Sequence, residues 1–485
     1  MRRLIVVSNR LPRAAAGGSA DERRVPVGGL ASALRGALSG APGSLWFGWN
    51  GVVAKATAAR SPSIDTIDDI RVAGVPLTER EASRYYRGFC NGAIWPLFHG
   101  FLGRVKLDRE DLACYREVNA RFARALHPLL DDRSLVWVHD YHLICLGREL
   151  RKLGWNGPIG FFLHIPFPPF DHWQVLPEAE DFLRAMMSFD LVGFQTRTSL
   201  DNYAYCCHRL LGAAWEGGRL QVGGLEQGAG VHPVGIEPAD FAPRPPAGRA
   251  VRTNGLTRVV RGRQLILGVD RLDYTKGIPE RILAFEGFLK AHPEWRRKVS
   301  FVQIASPSRS RVPEYVEQKR RVDLLVGRVN GEMADHDWVP IRYLYRSYPP
   351  RVLAGFYRES AVGLVTPLRD GMNLIAKEFV AAQDPRSPGV LVLSRFAGAA
   401  EELQEAILVN PHLPSDTAEG IAEALAMPLK ERLQRHAALL ERISRRTASD
   451  WSRGFLRDLE AAASHHRTPG PRGVRVRGRQ AGVGL

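Results

Sequence analysis

Short apolar runs recur along the chain at 4–7, 135–138, 159–163, 191–194, 265–269, 299–304, 362–365, 390–393 and 407–409. They are filled with Val, Ile and Leu at consecutive rather than alternate positions, the pattern of buried strands in a parallel sheet covered by helices on both faces. Helical stretches lie between them, for example 29–38, 279–291 and 374–382. Strand, helix, strand repeated in this way predicts an α/β fold built from two doubly wound domains. A stretch loaded with Pro, Gly and Arg, 237–263, divides the strands into two sets and predicts the linker, with a first domain over 1–240 and a second over 241–448. Behind Ser449-Asp450, Trp451, Phe455 and Leu459 fall at i, i+4 and i+8. That spacing predicts an amphipathic helix over 449–463 that needs a groove to cover.

Composition agrees with this architecture and narrows the function. A chain of 485 residues is too long for one ordinary core, and 45% hydrophobic with 24% charged residues is the make-up of a soluble globular protein. No apolar run approaches the ~20 residues of a membrane span, so a membrane is not an expected partner. The start, Met1-Arg2-Arg3, leads into a first strand rather than a secretion signal, and a cytoplasmic location is expected. The five cysteines show no Cys-x-x-Cys spacing and read as buried reduced thiols. The net charge of +16 invites an anionic partner, yet only nine of the 67 cations are Lys, a bias toward Arg throughout the chain. Part of the excess is local: Arg467, Arg472, Arg475, Arg477 and Arg479 crowd a tail, 464–485, without apolar periodicity, read as disordered and solubilising rather than as a nucleic-acid arm. The Gly/Ala/Arg-rich segment 12–25 reads as a mobile loop.

In doubly wound sheets ligands bind beyond the carboxyl ends of strands, and here those positions are polar six times over. They carry Ser8-Asn9-Arg10, His139-Asp140-Tyr141-His142, His164, Asp270 to Gly277, Ser306-Pro307-Ser308-Arg309 and Pro367 to Gly371. The cations Arg10, Arg271, Lys276 and Arg309 suit phosphate oxygens, and Gly28-Gly29 before a helix adds open backbone amides. Taken singly, each cation reads as a surface ion pair; their shared location favours an interdomain site for phosphate-bearing substrates. Dinucleotide and P-loop glycine motifs are missing. Asp140, Asp370 and Glu378 are carboxylates fit to accept from sugar hydroxyls, with the 371–374 amides (Gly371, Met372, Asn373, Leu374) facing the ligand. The aromatics Trp46, Trp49, Tyr85, Tyr86 and Trp95 are mostly core by expectation, with some free to wall a sugar pocket. His139, His142 and His164 with Asp140 form an alternative metal site, and with it a metal-dependent hydrolase.

The segments 5–10, 27–30, 46–49, 85–96, 139–142, 161–168, 270–277 and 366–378 resemble the trehalose-6-phosphate synthase family, retaining glycosyltransferases that join glucose from UDP-glucose to glucose 6-phosphate. The resemblance runs up to about Leu459, and the runs 271–277 and 367–374 are its most specific parts. It implies the GT-B fold, two Rossmann-like domains facing across a cleft with a C-terminal helix crossing back to the first. It further implies that Arg271 and Lys276 hold the donor diphosphate, Glu378 the ribose and Asp370 the glucose hydroxyls. The amides of Gly371, Met372, Asn373 and Leu374 would support the donor, and Gly29 would close over its phosphate. Arg10, Tyr86 and Arg309 would bind the acceptor phosphate, Trp95 and Asp140 the acceptor sugar, and His164 would contact the donor glucose. No cofactor and no metal are implied, because the cations can neutralise the leaving diphosphate. The expected partners are the two small-molecule substrates, with no nucleic acid and no membrane, and a homo-oligomer left open. Glucosylglycerol-phosphate synthase, or a transferase using another nucleotide, would share these motifs.

Overall fold

The computed structural model describes residues 2–12, 34, 36–38, 43–55, 62–67, 69–243, 262–309 and 312–466. Gly28 and Gly29, most of the expected mobile loop, the middle of the expected linker and residues 467–485 of the expected tail lie outside them.

The first sheet comprises β1 (Arg3–Arg10), β2 (Leu45–Ala54), β3 (Ser63–Ile67), β4 (Ile70–Thr78), β5 (Ser134–His139), β6 (Ile159–Leu163), β7 (Leu191–Phe194), β8 (Ala214–Glu216), β9 (Arg219–Val222) and β10 (Leu225–Val231). Their spatial order is β3-β4-β2-β1-β5-β6-β7-β10-β9-β8. The centre is parallel, and only the two margins, β3 against β4 and β8-β9-β10, run antiparallel. The second sheet is parallel throughout, with β11 (Gln264–Arg271), β12 (Val299–Ser306), β13 (Ile341–Leu344), β14 (Val362–Val365), β15 (Val390–Ser394) and β16 (Ile407–Val409) in the order β13-β12-β11-β14-β15-β16. All nine strands expected from the apolar runs are present. The strands that the runs did not reveal lie mostly toward the sheet margins, where one face is partly exposed and the apolar signal thins: β3 is largely exposed and β8 entirely so. An exception is β2, whose Trp46 and Phe47 are buried and which pairs with β1 inside the sheet.

Register aligns the functional ends. Ser8 pairs with His139, and His139 with Phe162, so the chain leaves β1, β5 and β6 at one edge with Arg10, Asp140 and His164 in a row. Arg271 pairs with Ser306 in the second sheet, which brings Arg271 and Arg309 to its corresponding edge.

The amphipathic helix expected over 449–463 spans Ala448–His466, so 464–466, expected as the start of a disordered tail, continue the helix instead. Its cap is not Ser449-Asp450: Oγ1 of Thr447 accepts from the Asp450 N–H (3.1 Å), and the Asp450 carboxylate accepts from the Thr447 N–H (3.1 Å). This is a capping box begun two residues earlier, which frees Ser449 to donate to Glu237. Trp451, Phe455 and Leu459 are buried against the first sheet, each worth roughly 1.5–3 kcal/mol of apolar burial. Gly160 in β6 and Gly193 in β7 make room for it; a Cβ there would stand 2.8 and 2.7 Å from Phe455. All five cysteines are buried and free, as expected. Among the described residues no helix is long and apolar enough to cross a membrane.

Candidate active site

At the end of β11 the chain turns through Asp273, whose Oδ1 accepts from the Thr275 N–H at 3.0 Å and caps the short turn Tyr274–Lys276. The other oxygen of this wholly buried carboxylate accepts from Nη1 of Arg309 (3.1 Å) and from the Tyr315 hydroxyl (2.9 Å). Burial alone would raise the Asp273 pKa, and Arg309, Arg271 and Lys276 together hold it below the usual value. Lys276 leaves the turn toward β14 and meets Oδ2 of Asp370 at 2.5 Å. Asp370 also accepts from the Gly371 N–H (3.0 Å) on Oδ1 and from the Asn373 amide (3.0 Å) on Oδ2. Three of its roughly four acceptor directions are thus taken, leaving one for a ligand hydroxyl. Burial would raise this carboxyl too, and Lys276 overrides it and keeps it ionised.

Asn373, in the left-handed region at φ 78°, opens the helix Leu374–Ala382 without capping it by its side chain, so the first-turn amides are uncapped by any side chain. Its Oδ1 is buried without a hydrogen-bond partner. Uncapped amides and a spare acceptor suit a ligand bearing both negative charge and hydroxyls. Met372 packs its side chain into the core of the second sheet, so only its backbone is available.

The first sheet supplies the facing wall. Asp140, at φ 75°, receives the His164 N–H on Oδ1 at 3.2 Å, and burial pushes its carboxyl up to about 6. Trp95 carries the Arg309 guanidinium 4.1 Å from its ring centroid and the Arg271 guanidinium at 6.0 Å. Nη2 of Arg309 also donates to the Tyr141 hydroxyl at 3.2 Å, crossing from the second sheet to the first. The edges touch directly: a Cβ on Gly371 would lie 2.0 Å from the His164 carbonyl oxygen, so only glycine allows this approach. Arg10 joins through a row of rings. Its guanidinium lies 5.1 Å from Trp49, Trp49 is 5.8 Å from Tyr86, Tyr86 stacks on His142 at 6.0 Å, and His142 is 3.9 Å from Tyr141.

The structure therefore brings Arg10, Tyr86, Trp95, Asp140, His164, Arg271, Lys276, Arg309, Asp370 and Gly371 to the meeting edges of the two sheets. Glu378 stands on the next helix and is held by the Tyr357 hydroxyl at 3.0 Å, with burial raising it to about 7. Trp46 and Tyr85 belong to the core. His139, His164 and Asp140 do not converge as metal ligands: the imidazoles bond to each other, and Asp140 bonds the His164 backbone. Three such ligand atoms gather only at Asp335, His336 and Asp337 among the described residues. The partners Asp273, Tyr315 and Tyr141 were not singled out from sequence. Asp273 and Tyr141 sit inside noted strand-end motifs, whereas Tyr315, two residues into a helix that starts at Pro313, carries no local signal.

The model of glycosyltransferase family 20 matches residues 2–461. The chain belongs to that family. A trehalose-6-phosphate synthase of Sinorhizobium fredii is 46% identical over 471 residues, 96% of this chain and 99% of its own. An α,α-trehalose-phosphate synthase (UDP-forming) from Burkholderia vietnamiensis has a solved structure of TM-score 0.90 at 43% identity, covering 96% of this chain and 99% of its own. The corresponding enzyme of Burkholderia xenovorans, solved in complex with glucose 6-phosphate, gives a TM-score of 0.89 at 40% identity, covering 94% of this chain and all of its own. The two facing sheets and the returning helix of this family 20 chain are the GT-B fold.

Proposed function

We infer that this chain transfers glucose from UDP-glucose to glucose 6-phosphate with retention, yielding α,α-trehalose 6-phosphate and UDP. The observation that carries the reading is the gathering of cations from both sheets at the edges that meet where Gly371 approaches the His164 carbonyl. Lys276 and Arg271 lie beside Asp370 on the donor side, and Arg309 and Arg10 stand at either end of the aromatic row on the acceptor side. We assign the lobes to 1–240 together with the returning helix Ala448–His466, and to the chain between them from 241. Arg271 and Lys276 neutralise the charge that grows on the departing diphosphate, Glu378 accepts from the ribose, and Asp370 and Asn373 hold the glucose. Gly29 is assigned to the donor phosphate by resemblance alone. Asp370 is a poor nucleophile, because three of its roughly four acceptor directions are already engaged and Lys276 draws on its charge. A front-face departure in which the leaving phosphate takes the acceptor proton fits these residues better than a carboxylate-bound intermediate. The buried free thiols suit a cytoplasmic enzyme.

The deciding experiment is a panel of nucleotide-glucose donors and phosphorylated acceptors with product identification. UDP-glucose with glucose 6-phosphate is the expected pair; preference for glycerol 3-phosphate would move the chain to the glucosylglycerol-phosphate reaction. Turnover is expected to persist in excess EDTA, and its loss with recovery on adding a divalent ion would assign the charge neutralisation to a metal. Because burial holds Glu378 near 7, its ionised, hydroxyl-accepting form grows as pH rises. KM for UDP-glucose is thus expected to fall between about pH 6 and about pH 8, and Glu378→Gln to flatten that dependence. An unchanged slope in this variant removes Glu378 from the ribose.

A further inference from the structure

His139 ends β5 with its ring wholly buried, and its Nδ1 lies 3.0 Å from Nε2 of His164. One of these two nitrogens carries the shared hydrogen, and the neighbours decide which. The backbone N–H of Val234 donates to Oε1 of Gln195 at 3.0 Å. An N–H can meet only the carbonyl end of that amide, so the end turned to Nδ1 of His164, at 3.5 Å, is the donor Nε2. Nδ1 of His164 therefore holds the lone pair, its Nε2 carries the hydrogen, and His139 accepts through Nδ1. Burial keeps both rings neutral, with His164 pushed down to about 3 and His139 well below its usual value. The remaining Nε2 of His139 is buried without a hydrogen-bond partner, and the imidazole centroid lies 4.5 Å from that of Trp137, 6.2 Å from Trp451 and 6.5 Å from Phe162. Trp451 comes from the returning helix, which thus packs under the histidine pair.

We propose that His139 and Gln195 are positioning residues that lock His164 in a single tautomer, with its Nε2–H donated to His139 and its Nδ1 lone pair facing the Gln195 amide. His164 then has no hydrogen to give the leaving group, and a donor-sugar hydroxyl can donate to its Nδ1 only in place of the long 3.5 Å contact from Gln195. This use of the ring rests on the glucosyltransfer reading; the tautomer itself does not.

Two substitutions at one position separate hydrogen bonding from packing. His139→Asn keeps an acceptor near the place of Nδ1 but removes the ring, whereas His139→Phe keeps an aromatic ring among Trp137, Phe162 and Trp451 but removes the acceptor. We expect kcat with UDP-glucose and glucose 6-phosphate to fall about tenfold in His139→Phe and less than about threefold in His139→Asn. A purely structural role reverses that order, and the reversed or equal order overturns the proposal. Nitrogen NMR of the histidine-labelled wild-type protein, which needs no variant to fold and no substrate, reads the tautomer directly. His164 is expected as the Nε2–H form, with Gln195→Glu moving the hydrogen to Nδ1; the Nδ1–H form in the wild type overturns it. Absence of transfer by the wild-type enzyme with the Nε2–H form intact would sink the reaction assignment and leave the tautomer standing.

Discussion

Lys276→Met is expected to lower kcat by about 10²–10³, the usual cost of removing one preorganised group that meets charge developing in the transition state. The substitution also strips Asp370 of its partner at 2.5 Å, and both side chains are almost wholly buried, 10% and 13% exposed. Breaking a buried pair from one side commonly destabilises by about 3–5 kcal/mol, so lost activity alone would be ambiguous. The double variant Lys276→Met with Asp370→Asn separates the two effects. It leaves no unpaired charge, so melting close to that of the wild type is expected, while kcat remains low because no cation faces the diphosphate. Recovery of wild-type kcat in the double variant would mean that Lys276 serves only to neutralise Asp370.

The second large effect concerns the acceptor. Arg10→Ala and Arg309→Ala should each raise KM for glucose 6-phosphate while sparing KM for UDP-glucose, since each removes a charge-assisted contact worth about 1.5–3 kcal/mol. The structure distinguishes the two in stability. Arg10 is exposed at its strand end, with its guanidinium against Trp49. Arg309 is buried and is the cationic partner of the wholly buried Asp273. Arg309→Ala should therefore also melt at clearly lower temperature, and Arg10→Ala close to the wild type. Unchanged KM for glucose 6-phosphate in both variants would remove the acceptor phosphate from this end of the cleft.

How far the site could be read in advance varies residue by residue. Arg271, Lys276 and Asp370 stand within a few residues of their strands, and a chain leaving a parallel strand can only emerge at its carboxyl end, so their placement needed no tertiary knowledge. The cap of the returning helix lies two residues before the expected one because Ser449-Asp450 and Thr447-x-x-Asp450 are equally good local signals, and only the bond from Ser449 to Glu237 separates them. The position of Arg309 at a strand end is enough to suggest a phosphate ligand. Its partners Asp273, Tyr315 and Tyr141 come from three separate elements, and although Asp273 and Tyr141 lie inside polar strand-end motifs, nothing local pairs them with Arg309. His139 and His164 resembled metal ligands because composition cannot say which way two imidazoles face.

The order of apolar runs and the polar residues following them were enough to specify two doubly wound sheets, a returning helix and the edge at which chemistry takes place. These are properties of periodicity and chain direction, which neighbours in sequence control. The pairing of Lys276 with Asp370, the bridge from Arg309 to Tyr141, the contact of Gly371 with the His164 carbonyl and the direction of hydrogens through Gln195, His164 and His139 depend on where separate segments meet. Distances of about 3 Å between residues 25 to 168 positions apart arise only when packing brings those segments together.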